Sequence, residues 1–363
     1  MNYDAVLLTS FGGPENSDEV MPFLERVTAG RGIPRERLEE VSHHYLALGG
    51  VSPINEQNRE LLVALQQELK HRNIDLPVYL GNRNSEPFFA DVLRAMYKDG
   101  HRHVLSLVTS AYSSYSGCRQ YQENLAQALI DADLEGQLSI DKVRHYFDHP
   151  GFVTPFANGL VHALNTLSAE GFSAAETHIF FTTHSVPISM AQTSGPENMR
   201  SSYKDGVYVA QHKAATSAIL EITGQRIDHT LPNWSLVYQS RSGAPHMPWL
   251  EPDIGDALRE VTRSGITAVV IVPIGFVSDH IEVVWDLDRE AKEIADEVNL
   301  RFIRVATPGT SHEFVSGLID LVEERVSNMA RKALSPLGPW PDFCSPGCCP
   351  NPRRELPNEA RVH

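Results

Sequence analysis

The sequence predicts an α/β protein made of two similar doubly wound halves, each a parallel sheet flanked by helices. Three observations carry this. Short apolar, β-branched runs alternate with longer helical patterns from one end of the chain to the other. The runs are apolar throughout rather than alternating, as expected of strands buried on both faces. Four of them fall in each half, and 363 residues are a comfortable length for two domains of ordinary size.

In chain order, the first half has strand candidates at Ala5–Thr9, Val78–Leu80, Val104–Thr109 and Ser139–His145. Helical patterns at Asn58–Leu69, Phe88–Tyr97 and Gln122–Ile130 separate them. The second half offers strands at Ile179–Thr182, Leu236–Gln239, Ala268–Pro273 and Phe302–Ala306, with a long helical pattern over His280–Val298. A domain boundary is expected at Phe147–Pro155, where His149-Pro150-Gly151 reads as a connector, giving domains 1–150 and 151–330. From Ser335 the chain turns rich in proline and cysteine and poor in aliphatics, so 335–363 is expected to be a separate, irregular appendage.

In open α/β sheets, ligands bind beyond the carboxyl ends of the strands. Five unusual loops leave such ends: Phe11-Gly12-Gly13-Pro14, Tyr112–Gly117, His184-Ser185-Val186-Pro187, Gln239–Gly243 and Gly275–Glu282. Opening on matching edges, they would build one cleft between the halves. The formal net charge of −15, from 31 basic and 46 acidic side chains, repels phosphate backbones and argues against nucleic acid as a partner. The longest apolar stretch, Ala268 to Val277, is about half the length of a transmembrane helix and contains Pro273. Met1-Asn2-Tyr3-Asp4 lacks a secretory start, so a cytoplasmic location is expected.

Glu282, Asp286 and Glu290 recur at intervals of four and would line one helical face. Such a row is either a solvated acidic stripe, balanced by Arg289 and Lys292, or a track of oxygen ligands for a hydrated divalent cation or a proton exit route. Spacing alone favours the stripe. His280 and Glu282, however, follow an apolar strand and a Gly-Phe turn, and His184 occupies the corresponding place after the other half's first strand. A histidine facing a carboxylate suits Fe²⁺ and supplies a base that titrates near neutrality.

The glycines after the first strand do not form a dinucleotide fingerprint, because the Gly-x-Gly-x-x-Gly spacing is absent and Pro14 lacks an amide hydrogen. They instead let backbone approach a flat ligand closely. The aromatics and hydroxyls of Tyr112–Tyr121, with Met247-Pro248-Trp249-Leu250, would wall a large planar amphipathic ligand. Cys344-x-x-x-Cys348-Cys349 is one thiolate short of a four-cysteine site, and Cys118 is the one cysteine left to complete it. Adjacent cysteines are unusual ligands for structural zinc, which favours a [2Fe–2S] cluster; a loose tail of free thiols is the alternative.

Taken together, these segments resemble the ferrochelatase family, enzymes that insert ferrous iron into porphyrins, over roughly residues 3 to 330. Val6-Leu7-Leu8-Thr9-Ser10-Phe11-Gly12-Gly13-Pro14 is similar to the family's amino-terminal strand and loop. Leu48-Gly49-Gly50-Val51-Ser52-Pro53-Ile54 is similar to its porphyrin-edge loop, and Thr183-His184-Ser185-Val186-Pro187 to the loop of its catalytic histidine. Tyr238-Gln239-Ser240-Arg241 and Gly275-Phe276-Val277-Ser278-Asp279-His280-Ile281-Glu282 complete the set.

The resemblance implies two Rossmann-like, chelatase-type domains with the porphyrin in the cleft between them. It makes His184 and Glu282 the catalytic pair at the metal centre and puts Asp286 and Glu290 on outer carboxylate positions, so the metal track overtakes the solvated stripe. Phe11, Arg31, Ser52 and Tyr121 fall at porphyrin-binding positions, the last three near propionates. The tail cysteines with Cys118 resemble those of actinobacterial members that carry a cluster. This implies a lyase acting on coproporphyrin III and ferrous iron, with coproheme as product on the way to haem b, and a monomeric chain. Two departures stand out. Some members carry a tyrosine that ligates the metal axially where this chain has Phe11, and an arginine where it has His44. The rival functions are a protoporphyrin IX ferrochelatase, a cobalt or nickel chelatase (such enzymes rely more on paired histidines), and a haem-binding or haem-delivery protein without turnover.

Overall fold

A computed structural model of the protein describes residues 3–30, 32–242 and 247–352. Arg31, one of the expected propionate contacts, lies outside the described residues. The first half holds β1 (Ala5–Ser10), β2 (Val78–Asn82), β3 (His103–Val108) and β4 (Ser139–Lys142); the second holds β5 (Thr177–His184), β6 (Asn233–Gln239), β7 (Ala268–Val272) and β8 (Arg301–Arg304). They form two four-stranded sheets, ordered β2-β1-β3-β4 and β6-β5-β7-β8. Every strand pairing is parallel. The strand order is thus the same in both sheets, and each reverses direction beside its first strand, where such sheets open a crevice. The strands β1 and β7 are buried at every residue, which is why they read as unbroken apolar runs.

The elements differ from expectation in instructive places. The last strand of the first sheet stops at Lys142 rather than His145, because Arg144 turns away to make a bidentate pair with Glu324 at 2.7 and 2.8 Å. The segment His280–Val298 is not one regular helix. A short turn, Ile281–Val283, leads into a π-type stretch, Val284–Ala291, and then an α-helix, Lys292–Glu297. Wider turns of this kind concentrate at functional sites.

His149-Pro150-Gly151 is not a connector either: it starts the helix Pro150–Ala169. Pro150 takes the first helical position, where its missing N–H costs nothing, and His149 Nδ1 accepts a hydrogen bond from the Gly151 N–H at 3.1 Å. This helix packs against the helices Gly206–Gly224 and His312–Val326 and against β7. One apolar core therefore runs through both halves, taking Tyr112 and Phe147 from the first and Phe152, Phe156, Val270 and Phe314 from the second.

The tail is irregular from Ser327 to the last described residue, as expected, yet it is no separate appendage. Trp340 is 1 % exposed and meets the Phe147 ring edge-on at 5.9 Å. Ser335 donates to the Asp148 carboxylate at 2.7 Å, and Arg144 to the Lys332 carbonyl at 2.7 Å. Among the described residues no helix is long and apolar enough to cross a membrane.

Candidate active site

His184 is the last residue of β5, and Glu282 lies in the first turn after the loop leaving β7. Gly275 ties these exits together. Its N–H donates to the Thr182 carbonyl at 3.1 Å, and a Cβ there would lie 2.7 Å from the Thr183 Cα, so only glycine fits. The result is a facing pair, His184 Nε2 and Glu282 Oε2, 3.7 Å apart, with the side chains 33 % and 45 % exposed. His184 Nδ1 donates to the Ser185 carbonyl. Since a carbonyl only accepts, Nδ1 carries the proton of that bond, and Nε2 is the nitrogen that faces Glu282. The Tyr208 hydroxyl donates to the His184 carbonyl at 2.9 Å and lies 2.8 Å from Thr183 Oγ1, which also meets His212 Nε2 at 2.8 Å. The His212 ring stacks on Tyr112 of the first half at 3.6 Å.

Asp286 is set deeper. It accepts from the Ser240 hydroxyl and from Gln239 Nε2 (3.3 Å), both at the exit of β6. Burial pushes its carboxyl up to about 8, the neighbouring Glu282 and Glu290 adding to the shift against those two hydrogen bonds. Glu290 accepts from Trp285 Nε1 at 2.7 Å. The expected balancing of this row by Arg289 and Lys292 does not occur as drawn, since these residues pair with Glu293 at 3.4 Å and Asp296 at 2.5 Å. His280 is half-buried, its desolvation lowers its pKa, and its Nδ1 lies 3.8 Å from Glu282 Oε2.

The other expected residues come in from the first half. Ser52 is buried under the glycine loop, its N–H donating to the Pro14 carbonyl at 2.9 Å. Phe11 and Tyr121 flank Arg83, whose guanidinium carbon sits 5.2 Å from each ring centroid. The His44 ring stacks on Trp285 at 4.3 Å and 8°. Two site residues escaped sequence reasoning. Arg83 is half-buried, its desolvation lowers its pKa, and it directly follows the carboxyl end of β2, a position that could have flagged it. Tyr45 is buried, and after burial it is Glu282 and Asp286 that push its phenol up. Nothing local to its helix, Arg35–Ala47, signals that proximity. Among the described residues, no three His, Cys, Asp or Glu side chains are arranged to hold a metal ion.

A second group of reactive side chains lies apart from this pair. Cys348 Sγ and Cys349 Sγ are 3.7 Å apart, and Cys349 Sγ accepts from the Gly195 N–H at 3.1 Å. Hydrogen bonds with Cys118 and Cys348 hold the Cys344 thiol low. Cys118 belongs to the π-type turn Tyr115–Arg119. The Lys142 ammonium is buried beside these sulfurs and lacks a hydrogen-bond partner among the described residues.

The family model for ferrochelatase matches residues 3–326. A protein of Streptomyces coelicolor named coproporphyrin III ferrochelatase is 53 % identical over 359 residues, covering 96 % of this chain and 93 % of its own length. One of the same name from Leifsonia xyli is 52 % identical over 362 residues, covering 97 % of this chain and 92 % of the relative. A protein of Rhodopirellula baltica named ferrochelatase is 46 % identical over 349 residues, covering 96 % of this chain and 93 % of the relative. With the match spanning both sheets and the relatives aligned over nearly the whole length, the chain belongs to the ferrochelatase family and is a metal-chelating enzyme.

Proposed function

We propose that the enzyme inserts Fe²⁺ into coproporphyrin III and releases coproheme, with domain 1–150 and domain 151–330 forming the two walls of the cleft, in the cytoplasm. The observation that carries the catalytic reading is the facing His184–Glu282 pair, with Asp286 behind it accepting from Ser240 and Gln239. Insertion requires two pyrrole protons to leave while the metal sheds water. His184 Nε2 takes a proton or ligates the incoming iron, and Glu282 does the complementary task from the opposite side. Asp286 and Glu290 continue outward from Glu282 as the path for hydrated iron or departing protons. Phe11, Ser52, Tyr121 and Arg31 contact the porphyrin. Phe11 cannot ligate iron, so the metal is held from the His184 side.

The substrate choice is supported by the relatives at 52–53 % identity that bear that name. The coupled test measures iron insertion into coproporphyrin III and protoporphyrin IX with product spectra. Preferential turnover of coproporphyrin III is expected, and equal or greater turnover of protoporphyrin IX overturns the assignment.

Cys118, Cys344, Cys348 and Cys349 are proposed to hold a [2Fe–2S] cluster, which supplies a one-electron redox group bound through thiolates. What supports the reading is the Cys348–Cys349 sulfur pair at 3.7 Å, the Gly195 N–H donating to Cys349 Sγ, and the buried Lys142 Nζ, which lacks a hydrogen-bond partner among the described residues. An isolated buried cation is expensive unless an opposite charge compensates it.

A further inference from the structure

We infer that Tyr208 is a positioning residue for His184, and that the stack of His212 on Tyr112 ties it to the other half of the molecule. The inference rests on the His184–Glu282 reading above. Tyr208 and His212 lie one turn apart on the helix Gly206–Gly224, where His212 Nδ1 donates to the Tyr208 carbonyl at 2.8 Å. A carbonyl only accepts, so Nδ1 carries a proton, and burial, which lowers the pKa of this ring to about 3, keeps it neutral. Nε2 is then an acceptor, and the Thr183 hydroxyl donates to it at 2.8 Å. With that proton committed, the Tyr208 hydroxyl is the donor left for the Thr183 oxygen at 2.8 Å and the His184 carbonyl at 2.9 Å. Thr183, Tyr208 and His212 are all buried, so bulk water does not stand in for a lost bond.

The first half closes this arrangement from the other side. Tyr112 stacks on the His212 ring at 3.6 Å and 11°, and its hydroxyl donates to the Ile274 carbonyl at 3.0 Å, one residue before Gly275. Its neighbour Ser113 exchanges two hydrogen bonds with Gln211: the Ser113 N–H donates to Oε1 at 2.7 Å, and the Ser113 hydroxyl accepts from Nε2 at 3.0 Å. Tyr112 thus reaches both arms of the site, the strand end that carries His184 and the loop that leads to Glu282. A hydrogen bond to the His184 backbone alters where Nε2 stands and leaves its chemistry alone. Displacing a reacting group by about 1 Å can cost about 10²-fold in rate.

The test compares Tyr208→Phe with wild type in the full chain, using ferrous iron and coproporphyrin III. The change removes one oxygen and keeps the ring. A fall in kcat of about 10–100-fold is expected, with KM for the porphyrin within about twofold of wild type. An unchanged kcat overturns the inference, and so does a loss confined to KM. A kcat that falls only in proportion to the folded fraction, read by circular dichroism, also overturns it. Should Tyr208→Phe not fold, two variants of His212 decide: His212→Gln, which keeps an acceptor where Nε2 stood, and His212→Leu, which does not. A kcat retained in the first and lost in the second supports the inference, and equal kcat in the two overturns it. Wild-type turnover in His184→Ala refutes the catalytic pair itself, a failure distinct from that of Tyr208.

Discussion

His184 has committed Nδ1 to the Ser185 carbonyl and keeps Nε2 for the cleft, so its role depends on one nitrogen. His184→Ala is expected to reduce iron insertion by about 10²–10⁴-fold, the range for loss of a positioned acid–base group. Porphyrin affinity, read by fluorescence quenching, should change little because the wall residues are untouched. Turnover near that of wild type would remove His184 from the centre of the mechanism. The pair itself was legible in the sequence, since both residues follow apolar strands at ligand-binding ends. The burial of Asp286 was not. Its partners Ser240 and Gln239 come from the exit of β6, more than forty positions away in the chain. Intervals of four along one helix carry no trace of such a contact, which is why spacing alone favoured a solvated stripe. The π-type turns of Val284–Ala291 add to the concealment, since their register is not that of a regular helix.

At the scale of elements, the helix Pro150–Ala169 joins the halves, and its first turn depends on a neutral histidine. His149 Nδ1 accepts the Gly151 N–H, so that nitrogen carries no proton, and burial, with Arg144, lowers the pKa to about 4. The unfolded chain binds this proton near 6.5, the folded one only near 4. Between those values the unfolded state holds more protons, and stability falls as the pH drops, by up to about 1.4 kcal/mol per unit. His149→Asn keeps a strong capping side chain without the titration. Denaturant unfolding at pH 7 and pH 4.5 should therefore show a smaller acid loss in the variant than in wild type; equal losses would rule out His149 as a source. Proline and glycine made this helix start read as a connector for a physical reason. Pro150 is tolerated as a helix start, and Gly151 is required by packing: a Cβ there would lie 2.6 Å from the Gly317 Cα in the helix His312–Val326. Composition reports the same residues for a loop and for a tightly packed helix end.

For the molecule as a whole, the continuous apolar strands announced both parallel sheets, and their common order follows from the same pattern of strands and crossovers in each half. What composition hid was how the tail belongs to the body. A proline-rich segment with few aliphatics has no period to read, yet Trp340 anchors it by one buried ring against Phe147. Two residues further on, Asp342 pairs with Arg331. Trp340→Ala is expected to destabilise the protein by about 3–5 kcal/mol, the usual range for emptying an aromatic site in a core. Urea unfolding followed by far-ultraviolet circular dichroism measures it. The same variant should expose the tail thiols of apoprotein to a thiol reagent at lower urea than Cys118, because Cys118 is held by the first half and the others by the tail. A midpoint within the error of wild type would mean that the tail docks through its polar contacts at Asp148 and Arg144, with the tryptophan contributing little.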